Sequence, residues 1–145
     1  MTKPIQIKNT IKPFNKKIFV DGDKSISIRW LLLASQATGK SKAHGILKSE
    51  DILSTINCLR KLGVKVNLKK NYCEVNGVGI NGYKYKNNIN LNAGNSGTLA
   101  RLILGLLVHS GKKIKITGDK SLSKRDFLRV TKPLKKFGAK FENKK

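Results

Sequence analysis

The chain has 145 residues, 39% of them apolar, and 31 Lys and Arg against 8 Asp and Glu, a net charge of +23 at pH 7. That leaves room for one domain of ordinary size with a core. The charge is spread along the chain, aromatics are 6%, only five of the basic residues are Arg, and no RNP, zinc-finger or basic-zipper pattern is present, which argues against a nucleic-acid reader. Cys58 and Cys73 stand 15 positions apart without a C-x-x-C, and His44 and His109 are isolated, so no metal or cofactor site is expected. No apolar segment follows Met1 as in a signal peptide, and the run 102–108 is too short to span a bilayer. A cytoplasmic protein without membrane contact is expected.

Residues 5–14 alternate loosely and predict a strand or arm broken at Pro13. Residues 17–20 predict a short strand leading into the loop Gly22-Asp23-Lys24-Ser25. A helix is expected over 25–37, apolar almost all round and therefore buried, with Gly39 as its stop. A strand is expected over 42–47. Ser49 reads as an N-cap followed by Glu50 and Asp51, which suit the helix dipole. Ile52, Ile56, Leu59 and Leu62 then share one helical face, and Gly63 is the C-cap. Strands over 64–68 and 72–75 flank a polar turn. A Gly/Asn/Tyr-rich connection over 77–88 leads to a strand at 89–91, a second apolar helix over 98–109 and a strand over 113–117. The last helical pattern runs from about 124 to 137, with Pro133 expected to kink or divide it.

The pattern repeats. Shifted by 72 positions, Arg29 falls on Arg101 and Gly39-Lys40 on Gly111-Lys112; at a shift of 75, Leu59 falls on Leu134 and Gly63 on Gly138. The period is longer than that of common solenoids and points to a duplicated βαβ-type module. Residues 1–16 would be an arm, 17–88 a first unit, and 89–145 a second unit that lacks the return strand of the first. By its own repeat logic the chain is expected to stop in mid-module, or to have its last strand completed by another chain.

Two loops in register open the apolar helices. The first is Gly22-Asp23-Lys24-Ser25-Ile26-Ser27-Ile28-Arg29 and the second Gly94-Asn95-Ser96-Gly97-Thr98-Leu99-Ala100-Arg101. Helix starts present free N–H groups and the positive end of the dipole, so they attract phosphates and carboxylates. Ordinary N-caps use the same residue types; the recurrence with an Arg in the first turns singles these out. Lys24 is placed to meet a phosphate, although a solvated lysine is the common case in so basic a chain. Arg29 and Arg101, embedded in apolar helices, need partners. A bound anion would serve, and for Arg101 an internal carboxylate would serve equally. A third stretch, Gly118-Asp119-Lys120-Ser121-Leu122-Ser123-Lys124-Arg125, also lies between a strand and a helix. No Ser/His/Asp or Cys/His constellation is evident. These residues reach an anion-binding α/β module and no reaction.

All three motifs, in this order and spacing, resemble the signatures of the 5-enolpyruvylshikimate-3-phosphate synthase family. The variants resemble the bacterial branch called class II, associated with glyphosate tolerance. The resemblance runs from about 17 to 141 and covers roughly the N-terminal third of a family member. It implies an α+β fold of repeated βαβαββ units, the inside-out barrel of the enolpyruvyl transferases, here two units with the second incomplete, and residues 1–16 belonging to the other domain. It implies transfer of the enolpyruvyl group of phosphoenolpyruvate to the 5-hydroxyl of shikimate 3-phosphate, with release of phosphate, in aromatic amino-acid biosynthesis. Residue by residue, Lys24 would be catalytic and touch both substrates. Ser25 and Arg29 would hold shikimate 3-phosphate; Asn95, Gly97, Thr98 and Arg125 would hold phosphoenolpyruvate; Arg101 is a secondary candidate. No cofactor, nucleic acid or membrane is implied, and a full-length member is expected to be a monomer.

Three positions depart from the family pattern. Asp21 stands where Pro is usual, Ile28 where Asn or His is usual, and Asp126 where Pro follows the third-motif Arg. Ile28 is expected to remove a polar contact near the site, and Asp126 to pair with Arg125 and weaken its grip on an anion. The later carboxylates of the family's acid–base chemistry are not in this sequence, so a second domain, in cis or in trans, is expected to complete the site and the chain alone to be inactive. The UDP-N-acetylglucosamine enolpyruvyl transferases share the fold but are disfavoured by Lys-Ser-x-Ser-x-Arg followed by Gly-Asn-Ser-Gly-Thr. A non-catalytic basic module holding nucleic acid is the other reading.

Overall fold

The computed structural model describes residues 6, 8, 10 and 12–142. The elements are α1 Lys24–Gln36, β1 Thr38–His44, α2 Glu50–Lys61, β2 Lys65–Leu68, β3 Tyr72–Val78, β4 Ile89–Asn92, α3 Gly97–Leu107, β5 Ile114–Thr117, α4 Lys120–Ser123 and α5 Leu128–Lys136. The architecture is mixed α/β with two separate open sheets. β1, β3 and β2 form an antiparallel sheet in that order, and β4 pairs in parallel with β5. Pairing Lys42 with Glu74 and Lys40 with Asn76 sends those side chains to the open face. Val66, Cys73 and Val75 are buried on the other face, against the helices. The period of two along β2 and β3 is what separates the faces.

One core joins both halves of the chain. Leu31 of α1, Ile56 and Leu59 of α2, Val75 of β3, Leu91 of β4 and Leu99 and Ile103 of α3 are all within 2% of full burial. Each such Leu or Ile contributes about 1.5–3 kcal/mol. α1 packs on α2, β3 and α3, which sets the two apolar helices against each other.

The repeat is visible in the backbone. Gly63 and Gly138 both adopt left-handed φ, at 88° and 91°. The following N–H groups, of Val64 and Ala139, reach back to Leu59 O and Leu134 O at 3.0 and 3.2 Å. These are matching helix stops that only glycine enters freely.

Several expectations need correction. Residues 17–20 form no strand: Ile18, Phe19 and Val20 are 77%, 85% and 85% exposed. β4, the matching strand of the second unit, has β5 beside it, whereas nothing among the described residues pairs with 17–20. The predicted arm at 5–14 falls partly outside the described residues; those of its residues that are described form no strand. Helix α1 is not buried all round, since Ile26 and Leu33 are exposed. It ends at Gln36 with an extended Ala37 cap, and Gly39 lies inside β1, which starts earlier than expected. The last helix divides at 124–127 and not at Pro133, which stands inside α5. Between α4 and α5 Asp126 makes an Asx turn, accepting the Leu128 N–H at 2.7 Å just before α5 begins. Residues 139–142 form no strand, because β2, their counterpart, draws its ladder from β3 and they have no such partner among the described residues.

Candidate active site

Three helix starts are built the same way, each with a short polar side chain taking one of the free N–H groups. Asp23 accepts from Ile26 N at 2.6 Å, Ser96 from Leu99 N at 3.3 Å and Asp119 from Leu122 N at 2.6 Å. In the long helices α1 and α3 the two preceding N–H groups remain directed out of the helix start. At α3 these belong to Gly97 and Thr98.

The second and third motifs meet directly. Asp119 N donates to Gly94 O at 2.9 Å, and a Cβ on Gly118 would lie 2.7 Å from that same carbonyl. Gly118 is required by that close approach, and Gly94 by its left-handed φ of 57°. This contact brings Arg125 to α3. A Cβ on Gly97 would sit 2.8 Å from Arg125 Nη1 and 2.9 Å from Arg101 Nη1. Two guanidinium groups therefore flank the start of α3, within about 6 Å of each other. At that distance like charges repel by roughly 1–3 kcal/mol.

Each guanidinium is held by neutral groups or dipoles. Arg125 Nη2 donates to Asn95 Oδ1 at 2.6 Å, and Asn95 Nδ2 donates to Asp119 Oδ2 at 2.5 Å. Arg101 Nη2 donates to the Asp126 carbonyl at 3.0 Å, and its Cζ lies 5.3 Å from the Phe127 ring centre. Neither forms an ion pair with a carboxylate among the described residues. The internal-carboxylate alternative for Arg101 is thus not what the structure contains. Nor does Asp126 pair with Arg125: its Oδ1 accepts the Leu128 N–H in a turn before α5. The Asp119 carboxyl is held below the usual range by the Leu122 N–H, then by the Asn95 amide, with Arg125 adding to it.

The first motif reaches this cluster through α2. Lys24 Nζ pairs with Asp51 Oδ2 at 3.1 Å, and a Cβ on Gly94 would lie 2.9 Å from Ser54 Oγ. Asp51 and Ser54 are one turn apart on α2, so that turn stands between the first and second loops. Ser25 and Arg29 share a face of α1 four residues apart, with Ser25 half-buried and Arg29 exposed. Arg29 is thus not embedded: the apolar sequence around it is one buried face and one open one. No hydrogen bond or ion pair joins Arg29 to the other motifs among the described residues. Ile28 is fully buried in the core, and among the described residues it is one of the side chains that pack α1 into it. Ser27 ties the loop to the chain after β1, donating to Asp23 O at 2.7 Å and accepting from Leu47 N at 3.2 Å.

Sequence reasoning missed Asp51, Ser54 and Phe127 as neighbours of the motifs, and the part of Asp119 in holding Asn95. Only the Asx-type spacing of Asp119 before α4 was a local signal. Burial pushes the Cys58 thiol up to about 11 and raises Cys73 as well, so neither is a ready nucleophile. Among the described residues no group of three or more His, Cys, Asp or Glu is placed to hold a metal, and no helix is long and apolar enough to cross a membrane.

The family model described as EPSP synthase (3-phosphoshikimate 1-carboxyvinyltransferase) matches residues 8–145. The chain belongs to the EPSP synthase family. It is 42% identical over 136 residues to the 3-phosphoshikimate 1-carboxyvinyltransferase of Streptococcus pyogenes serotype M2 (strain MGAS10270), covering 94% of this chain and 31% of that relative. A solved EPSP synthase from Acinetobacter baumannii superposes with a TM-score of 0.76 at 39% identity, over 86% of this chain and 28% of that one. A second structure of EPSP synthase from Acinetobacter baumannii gives a TM-score of 0.79 at 38% identity, over 90% and 29%. The chain thus spans about a third of the length of these EPSP synthases, and the fold it shares with them is the mixed α/β arrangement described above.

Proposed function

We propose that the chain carries a substrate-binding part of an enolpyruvyl transferase, the enzyme that moves the enolpyruvyl group of phosphoenolpyruvate to the 5-hydroxyl of shikimate 3-phosphate and releases inorganic phosphate. The observation that carries the reading is the pair of guanidinium groups at Gly97, neither in an ion pair with a carboxylate among the described residues. A phosphoenolpyruvate anion seated at the N–H groups of Gly97 and Thr98 would relieve their repulsion and complete the helix start. In this reading Arg125, Asn95, Gly97 and Thr98 hold phosphoenolpyruvate, with Arg101 beside them. Ser25 and Arg29 hold shikimate 3-phosphate from the open face of α1. Lys24 leaves Asp51 to lie between the two polyanions and offset their repulsion, which is how a cationic site brings such reactants together.

The reading includes a second domain, in the same chain or another, that supplies acid–base groups and closes over the substrates. The 31% coverage of the Streptococcus relative supports it. The protein is placed by this reading in the cytoplasm, as a monomer at full length.

Calorimetric titration of each substrate tests the reading at moderate salt. Arg125→Ala is expected to weaken phosphoenolpyruvate binding at least tenfold, and Arg29→Ala to do the same for shikimate 3-phosphate. By ³¹P NMR, the 145-residue chain alone is expected to release no phosphate from the substrate pair. Substrate affinities untouched by either substitution would sink the assignment. Nucleic-acid binding with a steep salt slope and no response to shikimate 3-phosphate would favour the basic module instead.

A further inference from the structure

Asn95 lies between a carboxylate and a guanidinium, and this sandwich has a polarity. A carboxylate only accepts hydrogen bonds and a guanidinium only donates them, while a side-chain amide does one at each end. With Asp119 Oδ2 taking the Asn95 Nδ2 hydrogens at 2.5 Å, the amide oxygen must face Arg125 Nη2, 2.6 Å away. Asp119 is itself fixed twice, by its Oδ1 on Leu122 N at 2.6 Å and by its own N–H on Gly94 O at 2.9 Å. The line Asp119–Asn95–Arg125 therefore runs from a clamped backbone to a long, exposed side chain that would otherwise sample many rotamers.

We propose that Asp119 is a positioning residue for anion recognition: it sets the orientation of the Asn95 amide and thereby holds the Arg125 guanidinium beside Gly97 before a ligand arrives. The inference rests on the reading that Arg125 receives phosphoenolpyruvate. Fixing a flexible cation in its bound geometry removes an ordering cost from binding.

Asp119→Asn separates this role from helix capping, because Asn and Asp are nearly equal N-caps. With Oδ1 of the new side chain on Leu122 N, its NH₂ faces Asn95. The Asn95 amide then turns its oxygen to that NH₂ and presents its own NH₂ to Arg125, donor against donor. The expected results are an unchanged thermal midpoint, phosphoenolpyruvate binding about tenfold weaker and shikimate 3-phosphate binding unchanged. In the Arg125→Ala background Asp119→Asn should add no further loss. A readout that needs no ligand is the ¹⁵N line of the Arg125 Nη groups: slowed rotation in the unaltered chain, averaged rotation in Asp119→Asn. Phosphoenolpyruvate binding unaffected by Asp119→Asn but weakened by Arg125→Ala would overturn the proposal. If Arg125→Ala binds as the unaltered chain does, the phosphoenolpyruvate reading of Arg125 fails, and the NMR comparison then decides alone: identical Arg125 lines in the two proteins overturn the relay.

Discussion

Gly97 is the residue where an added methyl group separates stability from recognition. Its ideal Cβ would meet Arg125 Nη1 at 2.8 Å and Arg101 Nη1 at 2.9 Å, and both are tips of flexible side chains. Gly97→Ala is therefore expected to leave the fold intact, with at most a small gain in helix propensity because Gly97 is the first residue of α3. The same methyl group pushes both guanidiniums from the helix start, so phosphoenolpyruvate affinity should fall about tenfold in calorimetry while the melting point holds or rises. Loss of melting point with affinity retained would contradict that geometry. At this scale the sequence shows its motifs plainly, through their resemblance to a family, but not their environments. Arg29 reads as embedded because Trp30, Leu31, Leu32 and Leu33 surround it in sequence; in space Leu33 and Ile26 share its exposed face. Asp126 reads as a rival for Arg125, yet the nearest unsatisfied donor was the backbone of Leu128.

Among the elements, β3 shows how closely the first unit is assembled. A Cβ on Gly77 would run into the carbonyls of Ala34 and Ala37 at the end of α1. These are backbone atoms and cannot swing aside as an arginine does. Gly77→Ala is expected to cost about 1–3 kcal/mol through forced separation of β3 from α1. Urea unfolding would show it as a lower midpoint at unchanged slope. The sequence carries the existence of helices α1, α2 and α3 well, since their periodicity is local; their ends less so, as Gly39 lies in β1 and Ser49 makes no side-chain cap bond at the start of α2. It fails where an element depends on a distant partner. Residues 17–20 have the composition of a strand, and 139–142 match β2 by repeat, but neither finds a ladder to join. The break before α5 was hidden for another reason: Pro133 is the louder local signal, yet the helix restarts after an Asp126 turn and a Phe127 that lies against Arg101.

For the molecule as a whole, the charge of +23 is a standing load on the folded state. Only two ion pairs occur among the described residues, Lys24–Asp51 and Lys40–Glu74, so most of the basic side chains repel one another through solvent. Raising salt from about 0.05 to 0.5 M, across the range in which the screening length falls below 10 Å, should raise the melting temperature. The shift should be about 3–5 °C for each kcal/mol of repulsion removed. A melting point indifferent to salt would mean that the charge is already balanced in the fold. The 72- and 75-residue shifts were legible in the sequence, and Gly63 and Gly138 end their helices with the same left-handed backbone. The first turn of α2 ties the two halves together more tightly than the repeat alone implies. Asp51 holds Lys24, and Ser54, one turn on, backs Gly94. An anion that draws Lys24 away leaves an unpartnered carboxylate on the turn that supports the second loop. In the proposed reading the two loops would share that turn, and any coupling between their ligands would, by thermodynamic reciprocity, have the same size whichever arrived first.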